Sequence, residues 1–215
     1  MKYKFKITGM GYYLPPNIET AEELSKKINK SPEWIISNAG VSERRISDID
    51  VDKMGAIAAK DAIGDKVEPD LIINASGVPK QTIPDTSVFI QRELGYEGIP
   101  SFSIHSTCLS FITAVNVAGS LIESKSYKTI LIVSSDRGTI GRNFNEPESA
   151  SLLGDAAAAI YMEPSLKEDQ GLIDFKMSSW PKAANLTQVK GGGTNLHPQN
   201  KSTKDEDNLF SMNGS

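Results

Sequence analysis

Two runs constrain this fold more than any other feature of the chain: residues 70–75 (DLIINA) and 129–134 (TILIVS). Neither alternates apolar with polar residues. Each therefore reads as a strand covered on both faces, as in a parallel sheet with helices above and below it. Helical signals surround them. Residues 21–28 form a short amphipathic pattern. Ser31-Pro32-Glu33 supplies a hydroxyl N-cap, a proline at the first helical position and an acid in the first turn, predicting a helix through residues 34–38 that stops at Gly40. Residues 52–63 repeat with the 3.6 period, and residues 86–94 end at Gly95. Further strands are expected at residues 4–10, 101–105, 156–162 and 172–177. Strands alternating with helices define an α/β layered protein.

The 215 residues suffice for one domain or one large lobe with a core of its own. Hydrophobic residues make up 39%, charged residues 23%, and the net charge is −4. This mildly acidic balance, with lysines scattered rather than clustered, argues against a nucleic-acid surface. The longest apolar stretches fall well short of the ~18 residues that suggest a membrane span. Met1-Lys2-Tyr3-Lys4-Phe5-Lys6-Ile7 alternates like an edge strand and lacks the apolar core of a signal peptide, so a cytoplasmic location is expected, without membrane or nucleic-acid partners. A single cysteine excludes an internal disulfide, and one cysteine with two histidines does not suggest a Cys/His zinc site.

That cysteine, Cys108, lies in a strand-to-helix junction, residues 103–111 (SIHSTCLSF). Ser106 and Thr107 are candidate N-caps, which places Cys108 in the first turn of a helix over residues 108–124. Phe111, Ile112, Val115, Ala118 and Ile122 mark one side of this helix, and Leu109, Ala114, Val117 and Leu121 the other. A helix apolar all round is expected to be buried. Unpaired N–H groups and the macrodipole at a helix N-terminus favour a thiolate. The thiolate is the form that accepts an acyl group. Free cysteines also serve as inert packing, so the residues alone leave both readings open.

Several motifs bear on the choice. They are Gly9-Met10-Gly11-Tyr12-Tyr13-Leu14-Pro15, residues 32–45 (PEWIISNAGVSERR), the Cys108 junction, residues 152–159 (LLGDAAAA) and Phe210-Ser211-Met212-Asn213-Gly214. Each is weak singly, but they occur in one order along the chain. With them the chain resembles the β-ketoacyl-acyl-carrier-protein synthase III branch of the thiolase superfamily. The resemblance implies a thiolase-like βαβαβ layered fold, the N-terminal half of a duplicated αβαβα architecture. It implies an N-terminal half carrying the cysteine over residues 1–180, a polar loop or linker over 181–208, and the start of the C-terminal half at 209–215. The last of these looks like a strand just beginning, so the sequence reads as cut.

The implied activity is that of an acyltransferase. Cys108 takes an acyl group from a thioester donor, and the acyl group is then condensed with a malonyl thioester. No cofactor is implied: acyl-CoA or acyl-carrier protein enters as a substrate. Acyl-carrier protein and a second copy of the chain, in a homodimer, are the implied partners. By resemblance Trp34 stacks on the CoA adenine; otherwise it is a partly buried packing aromatic. Ile83 falls where the family reaches into the partner subunit's acyl pocket, or it simply packs at that interface. Gly154-Asp155 matches a loop near the site and reads as structural.

Two departures stand out. Asn38 occupies the position where bacterial fatty-acid enzymes of this family usually have an arginine against CoA, and residues 142–151 (RNFNEPESAS) lack an arginine immediately before Gly154-Asp155. Asparagine cannot stack on adenine or meet phosphates bidentately as arginine does, so CoA is expected to bind weakly or differently, with the donor carried on a protein. The family's histidine and asparagine, which stabilise the carbanion formed on decarboxylation, lie in its C-terminal half. His105 does not match that histidine, and His197, in a polar loop, reads as a solvated side chain. Two alternatives are non-condensing acyl transfer and a non-catalytic partner subunit of a heterodimeric thiolase-fold enzyme. The retained Cys108 speaks against the second. A nucleotide-binding fingerprint is excluded, because the third glycine after Gly9 and Gly11 would fall at Leu14, and Pro15-Pro16 prevents a helix from opening there.

Overall fold

The structure, a computed structural model, describes residues 2–213. Met1, at the head of the expected edge strand, and Gly214 and Ser215, at the end of the closing segment, lie outside the described residues. In chain order the elements are β1 (Phe5–Tyr13), β2 (Asn17–Thr20), α1 (Ala21–Ile28), α2 (Pro32–Ala39), β3 (Glu43–Ile46), α3 (Val51–Ile63), β4 (Leu71–Asn74) and α4 (Thr86–Leu94). They continue as β5 (Ser101–Ser103), α5 (Ser110–Glu123), β6 (Ile130–Arg137), α6 (Pro147–Ala150), β7 (Asp155–Pro164), β8 (Thr187–Gln188) and β9 (Ser211–Met212). Two compact units result. One holds the chain up to Leu14, Asp48–Asp136 and Ala156–Met177; the other holds Pro15–Ser47, Arg137–Asp155 and the chain from Ser178 on.

The first unit is built on a mixed sheet of order β1-β7-β6-β4-β5, with β4 parallel to both β5 and β6 and β1 antiparallel to β7. The unbroken apolar runs are explained by two cores. Leu71, Ile73, Ile130 and Ile132 pack with Ala114, Ala118 and Ile122 of α5. The intervening Ile72, Leu131 and Val133 pack with Met54, Ala58 and Ala62 of α3 and Ile90 of α4. Alternate residues of one strand thus serve opposite faces, each fully buried aliphatic contributing about 1.5–3 kcal/mol.

Strand β1 and helix α3 approach closely because β1 carries glycines where they meet. A Cβ added at Gly11 would stand 2.2 Å from the Ala58 carbonyl oxygen, and one at Gly9 1.8 Å from that of Ala62. Backbone cannot step aside as a flexible side chain can. Gly11→Ala is therefore expected to lower stability by about 1–3 kcal/mol, read from a urea midpoint.

The strand expected at residues 172–177 does not form. Leu172 makes one antiparallel bridge with Tyr3, just ahead of β1, and no strand continues beyond it. Ile173 and Met177 remain exposed. An apolar run becomes a strand only where a neighbouring edge offers hydrogen bonds along its length, and here pairing is confined to that bridge.

The second unit contains the antiparallel β2–β3 and β8–β9 pairs. In α2, Ser31 Oγ accepts from Trp34 N at 3.2 Å and Gly40 closes the helix in the left-handed conformation, as its sequence predicts. Ala21, Leu24, Ile28, Ile35 and Ala150 form a small core, with Trp34 packed against it. Beside these lies a buried ion cluster. The Glu19 carboxylate receives Arg142 Nη1 at 2.5 Å, Lys27 Nζ at 2.5 Å and Arg44 Nη1 at 3.5 Å. The segment from 190 to 208 is mainly exposed, and Ser211–Met212 pairs with Thr187–Gln188.

Candidate active site

Strands β4, β5 and β6 run in one direction, and the turns that leave their C-terminal ends meet there. This is where parallel sheets place ligands. After β4, the Gly77 and Val78 amides donate to Asp136 Oδ1, near the end of β6, at 2.8 and 3.0 Å. After β5, His105 Nε2 donates to the Gly77 carbonyl at 2.9 Å. A polar chain ties the same strands together: Asn74 Nδ2 donates to Ser103 Oγ at 2.8 Å, Ser76 Oγ to Asn74 Oδ1 at 2.7 Å, and Ser103 Oγ to Asp85 Oδ1 at 3.0 Å. Apart from Ser76 and Asn74, these partners are distant in sequence, and no local pattern announced them.

Burial pushes the Asp136 carboxyl above its ordinary value, against the lowering effect of the Val78 and Gly77 amides, Ser134 and His105. A raised folded value means that ionisation costs stability. The stability due to this group is fully present below the ordinary value of 3.8 and is lost as pH rises through the raised one. Asp136→Asn, which keeps an acceptor for both amides without a charge to bury, is expected to remove this pH dependence without lowering the thermal midpoint at pH 7. Asp136→Ala is expected to cost about 1–3 kcal/mol, since both amides lose their acceptor.

Cys108 follows on this end of the sheet, and it is exposed. It does not sit in the first turn of the α-helix as expected. Thr107–Leu109 form a separate 3-10 turn, and α5 begins at Ser110. Nor do the Ser106 and Thr107 side chains cap the helix; Thr107 Oγ1 donates back to the Ser106 carbonyl at 2.8 Å. The bracket comes from Ser110 instead, whose Oγ accepts from Ser106 N at 2.9 Å and donates to Thr107 O at 2.7 Å. Nor is α5 buried all round. Ala114, Ala118 and Ile122 face the core, whereas Ile112 is 54% exposed and the preceding Leu109 51%. The buried face thus takes residues from both expected sides, and within α5 Ile112 is the apolar residue left exposed.

Ile83 belongs to the same unit and is 80% exposed, on the irregular segment between β4 and α4. That segment is anchored by Lys80, whose Nζ meets Asp50 Oδ2 at 2.7 Å and Asp52 Oδ1 at 2.8 Å, and by Asp85, which caps α4 through Ser87 N at 2.9 Å. A cleft of about 700 Å³ in this unit is lined by Ile122, Lys125 and Lys128, at the far end of α5 from Cys108. A helix of that length spans about 21 Å, so this cleft is separate from the cysteine.

Trp34 lies in the second unit, half-buried, with Lys30 Nζ 4.9 Å from its ring centroid. One turn along α2, Asn38 lines a cleft of about 400 Å³ with Glu148, Leu152 and Met212. Asp155, as expected for a structural residue, is buried and accepts from Ser47 N at 2.7 Å, Thr139 N at 2.9 Å and Thr139 Oγ1 at 2.7 Å. Among the described residues no group of three or more His, Cys, Asp or Glu side chains converges on a common point. No helix among them is long and apolar enough to cross a membrane.

The sheet order and the layered helices are those of the thiolase fold. The family described as 3-Oxoacyl-[acyl-carrier-protein (ACP)] synthase III matches residues 102–181, which include Cys108. β-Ketoacyl-[acyl-carrier-protein] synthase III of Rickettsia bellii is 33% identical over 193 residues, covering 87% of this chain and 61% of that protein. The Ehrlichia canis protein of the same name is 31% identical, covering 86% and 60%. The crystal structure of 3-oxoacyl-[acyl-carrier-protein] synthase III from Aquifex aeolicus VF5 superposes with a TM-score of 0.85 at 28% identity, covering 98% of this chain and 65% of that one. The chain is thus a relative of the 3-oxoacyl-[acyl-carrier-protein] synthase III family, and it spans about three-fifths of the length of the curated relatives it matches.

Proposed function

We propose that this chain is the cysteine-bearing part of a thioester-dependent acyltransferase of the 3-oxoacyl-[acyl-carrier-protein] synthase III type, and that Cys108 is its acyl acceptor. The observation that carries this reading is the exposed Cys108 at the C-terminal ends of three parallel strands, immediately ahead of a 14-residue helix. The names of the relatives support the reaction class. In the step assigned to Cys108, Sγ attacks the carbonyl carbon of a donor thioester. The new S–C bond forms as the donor's S–C bond breaks, and the donor thiol leaves with the proton. The acyl group then passes to a malonyl thioester, which loses carbon dioxide as the carbon–carbon bond forms.

The acyl donor is carried on a protein in this reading, with acyl-carrier protein as the partner. Asn38 and Glu148 line the second unit's cleft. Neither offers a positive charge to a nucleotide phosphate, and the Glu148 carboxylate repels one. Trp34 remains the candidate for stacking on the donor, and Ile83, presented to solvent on an anchored segment, the candidate for reaching a second copy of the chain in a homodimer. Intact-mass measurement after incubation with acyl-CoA and with acyl-carrier-protein donors tests both parts. An acyl adduct on Cys108 formed faster from the carrier-protein donor is the expected result. Rapid labelling by micromolar acetyl-CoA removes the preference for a protein-borne donor, and an unchanged mass with every donor removes the acyltransferase reading.

A further inference from the structure

We infer that Ser110 is a positioning residue for Cys108, holding the preceding residue in a backbone conformation it would otherwise leave. Thr107 has φ of +50°. That left-handed region is unfavourable for any residue with a Cβ and more so for a β-branched one. Such a conformation persists only where its surroundings over-determine it. Here one determinant is a buried hydroxyl. Ser110 is 1% exposed, and its Oγ uses its one proton on the Thr107 carbonyl while a lone pair takes the Ser106 amide. The hydroxyl thus grips the chain on both sides of the Thr107 φ torsion, one residue before the cysteine. Backbone bonds from Leu109 N to Ser106 O and from Ser110 N to Thr107 O complete the turn. Neither involves the Ser106 amide.

Without the hydroxyl, Thr107 is free to relax to negative φ. That rotation, of the order of 110° if φ falls to a helical value near −60°, re-aims Cys108 relative to the Gly77 and His105 turns. Residue 110 therefore governs where the sulfur stands, although it does not touch it. This inference rests on Cys108 being the acyl acceptor only for its meaning in catalysis. The geometry of the turn stands apart from that reading.

The test separates positioning from packing by second-site rescue. In the full chain, Ser110→Ala is expected to slow both iodoacetamide alkylation and acyl transfer at Cys108 by tenfold or more. Adding Thr107→Gly, which adopts positive φ without a Cβ, is expected to bring both rates back to within about threefold of the parent, a difference worth no more than about 0.7 kcal/mol. Ser110→Thr keeps the hydroxyl and is expected to retain reactivity even if its extra methyl group lowers the urea midpoint. A packing role predicts the opposite order, with alanine tolerated and threonine damaging. Parent-like rates for Ser110→Ala overturn the inference, as does a Ser110→Ala/Thr107→Gly chain that folds cooperatively yet reacts as slowly as Ser110→Ala. If no donor acylates the parent but alkylation follows the expected pattern, the proposed function fails and the positioning role stands.

Discussion

Replacing Cys108 by alanine is expected to abolish acylation of the chain, with transfer falling by about 10³-fold or more, while the urea midpoint stays unchanged. Both halves of this result follow from where the residue sits. The side chain is exposed, so its loss opens no cavity, and an exposed substitution away from caps and buried bonds stays within about ±0.5 kcal/mol. The chain has one cysteine, so an intact-mass shift reads acylation at a single thiol. Serine at this position is expected to be almost as inactive as alanine. A hydroxyl needs an adjacent base to become a nucleophile, and among the described residues no hydrogen-bond partner meets the Cys108 sulfur, while His105 Nε2 is committed to the Gly77 carbonyl. A serine variant that transfers acyl groups at a rate close to the parent's would show that attack by this sulfur is not the chemistry.

Glu19→Ala is expected to have the largest effect on stability, about 3–5 kcal/mol, because it strips the counter-charge from two buried guanidinium groups. The Arg44 and Arg142 side chains are 2% and 6% exposed, and both meet the Glu19 carboxylate. Arg44 has one other acceptor, the Ser151 carbonyl at 2.9 Å, and its Nε has none. Burial works to raise the Glu19 carboxyl, but the hydrogen bonds and charges of Arg142 and Lys27 outweigh it, and the group is held below its ordinary value of 4.5. The sign of the pH effect follows. The unfolded chain binds the proton more readily, so this stability is fully present above 4.5 and is lost as pH falls through the lower folded value. Urea midpoints of the parent are therefore expected to drop on acidification below that point. Glu19→Ala should flatten this component, while Lys27→Ala, which removes a half-exposed cation, is expected to cost about 1 kcal/mol or less. A Glu19→Ala chain as stable as the parent would mean that the arginines reach water when the carboxylate is gone.

The local elements were legible wherever their causes were local. Thr86–Leu94 ends at Gly95 as its sequence implies, because a left-handed C-cap is a property of a few adjacent residues. The Ser31-Pro32-Glu33 start is confirmed for the same reason. Residues 172–177 failed because strand formation depends on a distant edge, and composition carries no record of how far that edge extends. Around Cys108 the reading succeeded in kind and failed in detail. A cysteine between a strand and an apolar helix is visible in the sequence, but Ser106 and Thr107 do not perform the capping expected of them, and the bracketing role of Ser110 is not legible there. The available signal was a serine two positions past the cysteine, at the head of a mainly apolar helix.

By itself, the sequence determined the covered strands, the alternation with helices, the capped ends and the place of the single cysteine between a strand and a helix, all of which rest on neighbouring residues and on the periodicity of burial. Only the tertiary structure decided that Thr107 takes a left-handed turn, that Asp136 holds the Gly77 loop across the strand ends, that α5 leaves Ile112 exposed and that Glu19 gathers three cations. Each of these depends on which atoms meet in space. Meetings such as Gly77 with Asp136 or Glu19 with Arg142 join residues far apart in the chain, whose hydrogen bonds and charges are settled only when the layers pack.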